Sequence, residues 1–113
     1  MTHGKPLIGF IGAGRVATAL ARALNGAGYA VVAVASRSFP SSLALVRQLP
    51  YAQACDWPQD VVDESDLVFI TTPDDAIRLV AESLRWRPNV AVVHTSGAAS
   101  LDVLESAASS KMA

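Results

Sequence analysis

The stretch that most constrains this chain is Leu7-Ile8-Gly9-Phe10-Ile11 running straight into Gly12-Ala13-Gly14-Arg15-Val16-Ala17. A short apolar run suits a buried strand, and the glycines directly after it turn the chain sharply. A helical pattern follows, with Val16, Leu20, Leu24 and Ala27 at spacings that share one helix face. Asn25-Gly26-Ala27-Gly28 then supplies helix-stop and turn chemistry. A second apolar run, Ala30-Val31-Val32-Ala33-Val34-Ala35, begins at once. Strand, glycine turn, helix and strand in about 30 residues make a βαβ unit, which requires parallel strands.

The alternation continues along the chain. It predicts strands at about 7–11, 30–35, 52–55, 67–71 and 90–94. Helices are expected at about 14–26, 40–48, 74–85 and 100–108, with a short helical turn at 59–64. Leu67-Val68-Phe69-Ile70 and Val90-Ala91-Val92-Val93 are continuous apolar runs, as befits strands buried on both faces. The predicted fold class is α/β: a three-layer, doubly wound parallel sheet of about five strands, in the Rossmann order 3-2-1-4-5. The chain of 113 residues has room for one such domain. In such a sheet a ligand sits where the strand order reverses, between the first and fourth strands.

The turn at 12–17 reads as G-x-G-x-x-A, and each small residue has a mechanical task. Gly12 permits the tight turn, Gly14 lets a pyrophosphate approach the backbone, and Ala17 lets the helix pack closely on the strand. The helix start at Ala13, Gly14, Arg15 and Val16 offers N–H groups and partial positive charge to phosphates. The bland alternative is a glycine turn that binds nothing. Dinucleotide binding is favoured because the strand, turn, helix and second strand occur in the required order.

The exit of the second strand chooses between dinucleotides. An NAD site usually places Asp or Glu there to bond the ribose hydroxyls. Here the strand runs into Ser36-Arg37-Ser38-Phe39-Pro40, and the next acidic residue is Asp56. Arg37 suits a 2′-phosphate that a carboxylate would repel, and Ser36 and Ser38 add hydroxyls. NADP is therefore the expected cofactor. A solvated loop arginine is the competing role for Arg37. For Arg15, a phosphate contact and a surface position in the first helical turn are equally open.

Two more strand exits carry polar groups. Thr71-Thr72-Pro73-Asp74-Asp75 can cap a helix, with Thr72 as N-cap and Pro73 at its first position. The same loop is placed to pass the ribose and nicotinamide half of a cofactor, through Thr71, Thr72 and Pro73. Asp74 and Asp75 answer the helix dipole. His94-Thr95-Ser96-Gly97 ends the last strand. Thr95 and Ser96 are candidate contacts to the cofactor's reacting end, or caps of the last helix. His94 is either a proton carrier or a hydrogen-bonded strand end. No catalytic residue is assigned.

Composition removes several classes of function. A net charge of −1 gives no bulk attraction to nucleic acid or an anionic membrane. No apolar run is long enough to span a bilayer, and the N-terminus has no signal-peptide pattern. The single Cys55 leaves no internal disulfide and no metal-ligand spacing. A cytoplasmic protein with no metal is expected.

Taken together, Gly9-Phe10-Ile11-Gly12-Ala13-Gly14-Arg15-Val16-Ala17, Ser36-Arg37-Ser38, Thr71-Thr72-Pro73-Asp74 and His94-Thr95-Ser96-Gly97 resemble the N-terminal Rossmann domain of NADP-dependent two-domain reductases. That superfamily includes 6-phosphogluconate dehydrogenase, 3-hydroxyisobutyrate dehydrogenase and pyrroline-5-carboxylate reductase. The nearest resemblance is to a sparsely characterised branch similar to ketopantoate reductases or deazaflavin-dependent NADP oxidoreductases. The His-Thr-Ser-Gly stretch is its most branch-specific element. The resemblance covers nearly the whole chain and implies hydride transfer between NADP(H) and a small-molecule substrate. It also implies a helical C-terminal domain that supplies much of the substrate pocket. Residues 1–113 are read as the cofactor-binding domain alone, without that helical domain or a sixth strand. A fragment, a partner-dependent chain or a homodimer would each account for this. A non-catalytic nucleotide-sensing module is the alternative function, although such modules often keep the acidic residue this chain lacks. A methyltransferase site is disfavoured, because Gly9, Phe10 and Ile11 stand where an acidic residue would precede the glycine turn.

Overall fold

The computed structural model describes residues 5–71, 84–86 and 88–94. Strands β1 (Leu7–Ile11), β2 (Ala30–Ala35), β3 (Gln53–Ala54), β4 (Leu67–Ile70) and β5 (Ala91–His94) form one parallel sheet. Helices α1 (Arg15–Gly26), α2 (Phe39–Val46) and α3 (Pro58–Glu64) connect them. The strand order is β3-β2-β1-β4-β5, as the alternation predicts. The short helical turn expected at 59–64 is α3. Leu84 and Arg85, the end of the helix expected at 74–85, are not helical. The rest of that helix and the one expected at 100–108 lie outside the described residues.

Two apolar layers sandwich the sheet. Ile8 and Phe10 of β1, Val31 and Val34 of β2 and Phe69 of β4 meet Ala17 and Ala21 of α1 and Leu45 of α2. Phe10 and Phe69 stack across neighbouring strands, their ring centroids 5.1 Å apart. On the other face Ile11, Ala33, Ala35, Val68 and Ile70 meet Val61 and Val62 of α3. Cys55, Leu84 and Trp86 complete that layer. Helices α1 and α2 thus cover one face and α3 the other. Right-handed crossovers produce this when the chain winds outward through β2 and β3, then crosses back to lay β4 on the far side of β1.

The β1–β2 register slips between Ile8 and Gly9: Ile8 lies opposite Val31 but Gly9 opposite Ala33. Val32 is the extra residue, so Val31 and Val34 share one face although three positions separate them. This bulge re-aims the end of β2 just before the turn that follows it.

One expectation about α1 is corrected. Val16 and Ala27 are exposed, and the face that packs is Ala17, Ala21, Leu20 and Leu24. Two alanines at the closest approach let the helix lie near the sheet, so its buried stripe begins one residue after the position that hydropathy alone selects. On the opposite face the Gln59 amide clamps the 84–86 segment. It accepts from Arg85 N–H at 2.9 Å and donates to Arg85 C=O at 3.0 Å.

Candidate dinucleotide site at the strand ends

Three strand ends finish level with one another. Gly12 N–H donates to Ala35 O at 2.7 Å, joining the start of the glycine turn to the end of β2. Thr71 N–H donates to Ile11 O at 2.9 Å, and its hydroxyl reaches the same oxygen at 3.5 Å. The β4–β5 register sets Ile70 opposite His94. Gly12–Val16, Ser36–Ser38 and Thr71 therefore stand side by side along the carboxyl edge of the sheet, around the point where the strand order reverses. Thr72, Pro73, Thr95 and Ser96 lie outside the described residues.

The glycine turn is built from backbone. Gly12 has φ of +117°, a conformation that side-chain-bearing residues rarely adopt, and its N–H is held by β2. Gly14 is the N-cap of α1, with φ of −86°. That angle is open to any residue, and among the described residues a Cβ added there would meet no atom within 4 Å. Neither the backbone nor any described neighbour requires glycine at 14, which leaves the approach to the helix start open on the described side. The start of α1 has no side-chain cap and no acidic residue in its first turn. Among the described residues its leading N–H groups and positive dipole end are free to meet an anion. Arg15 and Val16 are exposed in that first turn, and Ala17 beneath them is fully buried.

Gly9 is a residue whose importance the motif alone does not reveal. A Cβ there would stand 2.5 Å from Val61 Cγ1 and closer still to Ser65 Oγ. Glycine at 9 is needed because α3 and its C-cap press directly on β1. A hint in the sequence is that Gly9 interrupts an otherwise large-residue strand.

The exit of β2 is built from side chains instead. Ser38 is the N-cap of α2, its Oγ accepting from Ser41 N–H at 3.4 Å, and Pro40 stiffens the first turn. Ser36 Oγ donates to Ser38 O at 2.7 Å and lies 2.7 Å from Ser42 Oγ. Ser41 Oγ donates to Ser38 Oγ at 3.1 Å. Arg37 is exposed in the middle of this hydroxyl network. Both serines singled out in the sequence bond within the turn and brace it; Ser41 and Ser42 are the members that sequence reasoning missed. The signal for Ser41 was the S-x-x-S spacing of an N-cap and its partner, Ser38 and Ser41; Ser42 carried none.

A dinucleotide fits these residues. Among the described residues the turn leaves the approach over Gly14 open and its N–H groups unpaired, and the neighbouring exit carries an arginine and no carboxylate. Among the described residues no three His, Cys, Asp or Glu side chains gather as a metal site, and no helix is long and apolar enough to cross a membrane.

The sequence matches the model of the Rossmann-like domain over residues 2–111. The chain belongs to the Rossmann-like domain family. Solved structures similar to this Rossmann-like domain include a Bacteroides fragilis protein provisionally named an NADP oxidoreductase, 30% identical over 80% of this chain and 35% of that one, with a TM-score of 0.67. The imine reductase from a Pseudomonas species is 26% identical over 96% of this chain and 39% of its own, with a TM-score of 0.67. A variant imine reductase from Myxococcus stipitatus in complex with NAD+ is 28% identical over 83% of this chain and 31% of its own, with a TM-score of 0.68. The Rossmann-like domain thus spans between 31% and 39% of the length of these proteins. Comparison with curated proteins gives no match.

Proposed function

We propose that this chain is the NADP(H)-binding domain of an oxidoreductase that moves hydride to or from a small-molecule substrate. The observation that carries this reading is Gly14, where nothing among the described residues calls for glycine and the start of α1, without a side-chain cap, faces the open side. In this reading the N–H groups of Ala13 to Val16 hold the pyrophosphate, with Arg15 beside it. Arg37 grips the 2′-phosphate, while Ser36 and Ser38 brace the turn and the Ser38 hydroxyl donates to the phosphate. Thr71, Thr72 and Pro73 border the ribose and nicotinamide half, and Thr95 and Ser96 the reacting end. The nicotinamide carries the hydride chemistry when bound; the chain holds and orients it.

Similarity to imine reductases supports a substrate with a reducible C=N bond, and similarity to a protein named for NADP oxidoreduction supports the cofactor. A cytoplasmic location and a homodimer belong to the same proposal, and sedimentation that finds only monomer at high concentration would remove the dimer.

Titration of the purified chain with NADP+ and NAD+ tests the central claim. NADP+ should bind at least tenfold more tightly, about 1.4 kcal/mol. Arg37→Asp should erase that preference, because its carboxylate repels the 2′-phosphate and suits the ribose hydroxyl. Equal or reversed affinities in the wild-type chain would sink the reading.

A further inference from the structure

We propose that Ser42, a fully buried serine on α2, is a positioning residue for the choice between NADP and NAD, acting through Ser36 on the turn that carries Arg37. The inference rests on the proposed NADP site and adds a residue remote from the cofactor to it.

The argument starts from burial. Ser42 has no exposed surface and stands on the same helix as the buried Leu45. A hydroxyl in such a place costs stability unless it is hydrogen-bonded. Its partner is Ser36 Oγ, half-buried and 2.7 Å away.

Each hydroxyl has one proton, which fixes the direction of the chain of bonds. Ser36 donates to Ser38 O, a carbonyl that can only accept. The proton between Ser36 and Ser42 must therefore come from Ser42. The order is Ser42 O–H to Ser36 Oγ, then Ser36 O–H to Ser38 C=O. Consecutive bonds of this kind polarise and strengthen one another.

The geometric result is a brace across one residue. Ser36 is held from below by α2, and it holds Ser38 from the side. Arg37 lies between the two braced positions, so the direction in which its backbone presents the guanidinium is set by bonds it does not itself make. Ser38 Oγ accepts from Ser41 N–H and Ser41 Oγ. Among the described residues it donates to none, so its own proton is available to an oxyanion beside Arg37. The same network thus orders both the cation and a hydroxyl donor.

Removing the Ser42 hydroxyl takes away the first donor. Ser36 Oγ then loses its fixed orientation, and with it the bond that ties Ser36 to Ser38 loosens. NADP needs the brace for its 2′-phosphate. NAD makes the remaining contacts in common with NADP, so its affinity is an internal measure of an intact fold and glycine turn.

The test is titration of wild-type and Ser42→Ala chains with NADP+ and NAD+. Ser42→Ala should weaken NADP+ about fivefold and NAD+ less than about twofold, the size of one lost hydrogen bond. In the double variant Ser36→Ala/Ser42→Ala the NADP-to-NAD affinity ratio should equal that of Ser36→Ala alone, because both changes cut one chain. If Ser42→Ala does not fold, Ser42→Cys keeps the shape with a weaker donor and should lower the ratio in the same direction. A wild-type chain that prefers NADP while its Ser42 variants keep the full ratio overturns the inference alone. So does a parallel loss of both affinities, which would mark Ser42 as structural only. A wild-type chain with no preference overturns the proposed NADP site and this inference with it.

Discussion

Gly9 and Gly14 stand five positions apart in one glycine-rich stretch, yet opposite sides of the molecule demand them. At Gly9 the demand comes from within: Val61 and Ser65 leave no room for a Cβ. At Gly14 the described residues impose nothing, and a side chain would project into space that none of their atoms occupies. Gly12 between them is required by its own backbone angle. One run of small residues therefore serves helix packing, chain reversal and an open approach to the helix start. The lesson is that a glycine in a binding motif is not evidence of a ligand until the protein's own reasons for it are removed.

Substitution breaks or sharpens this contrast. The largest effect is expected for Gly14→Val. It should weaken dinucleotide binding by at least about 100-fold, ~2.7 kcal/mol, because the branched side chain fills the approach to the helix N-terminus. Its stability should change by no more than about 1 kcal/mol, the cost of a poor N-cap residue. Denaturant unfolding and cofactor titration on the same sample check both halves; unchanged binding would end the comparison. Gly9→Ala should do the reverse, costing about 1–3 kcal/mol of stability through overpacking against α3. Cofactor affinity measured well below its unfolding temperature should fall far less than in Gly14→Val. An unchanged denaturation midpoint would show that α3 yields easily.

The smallest effect concerns Cys55, which shares the α3-side layer with Val61. Burial pushes its thiol above the ordinary range, helped by the nearby charges of Glu64 and Asp60. A raised value in the folded state means that its contribution to stability is complete below the unfolded thiol's pKa of about 8.5. That contribution is lost as pH rises from there through the folded value. Wild-type stability should therefore fall more steeply than that of Cys55→Ala above about pH 8.5. Denaturation midpoints at a series of alkaline pH values check this, and parallel curves would contradict it.

Much of this could be read along the chain. All five strands stand within a residue or so of their expected positions, since continuous apolar runs bounded by turns are a local signal. Strand order followed from the βα alternation and the handedness of crossovers. The errors lie where packing decides. Hydropathy placed Val16 on the buried face of α1, but the helix approaches the sheet on Ala17 and Ala21, and Val16 is left outside. Ser36 and Ser38 could be read as hydroxyl donors beside Arg37. That Ser42 braces them from beneath was not legible, because a serine in a helix looks the same whether its hydroxyl faces water or the core.

The amino-acid sequence by itself determined the alternation of strands and helices, the glycine turn after β1, and an arginine in place of a carboxylate after β2. Those are properties of neighbouring residues, set by backbone freedom, periodicity and charge. Only the tertiary structure decided that Gly12, Ala35, Ile11 and Thr71 meet at one edge, that Gly9 answers to α3, and that Ser42 reaches Ser36. Those contacts depend on how crossovers fold back over the sheet and how closely each helix settles on it. No local stretch of chain encodes that distance; it is the joint result of every side chain in the layer between them.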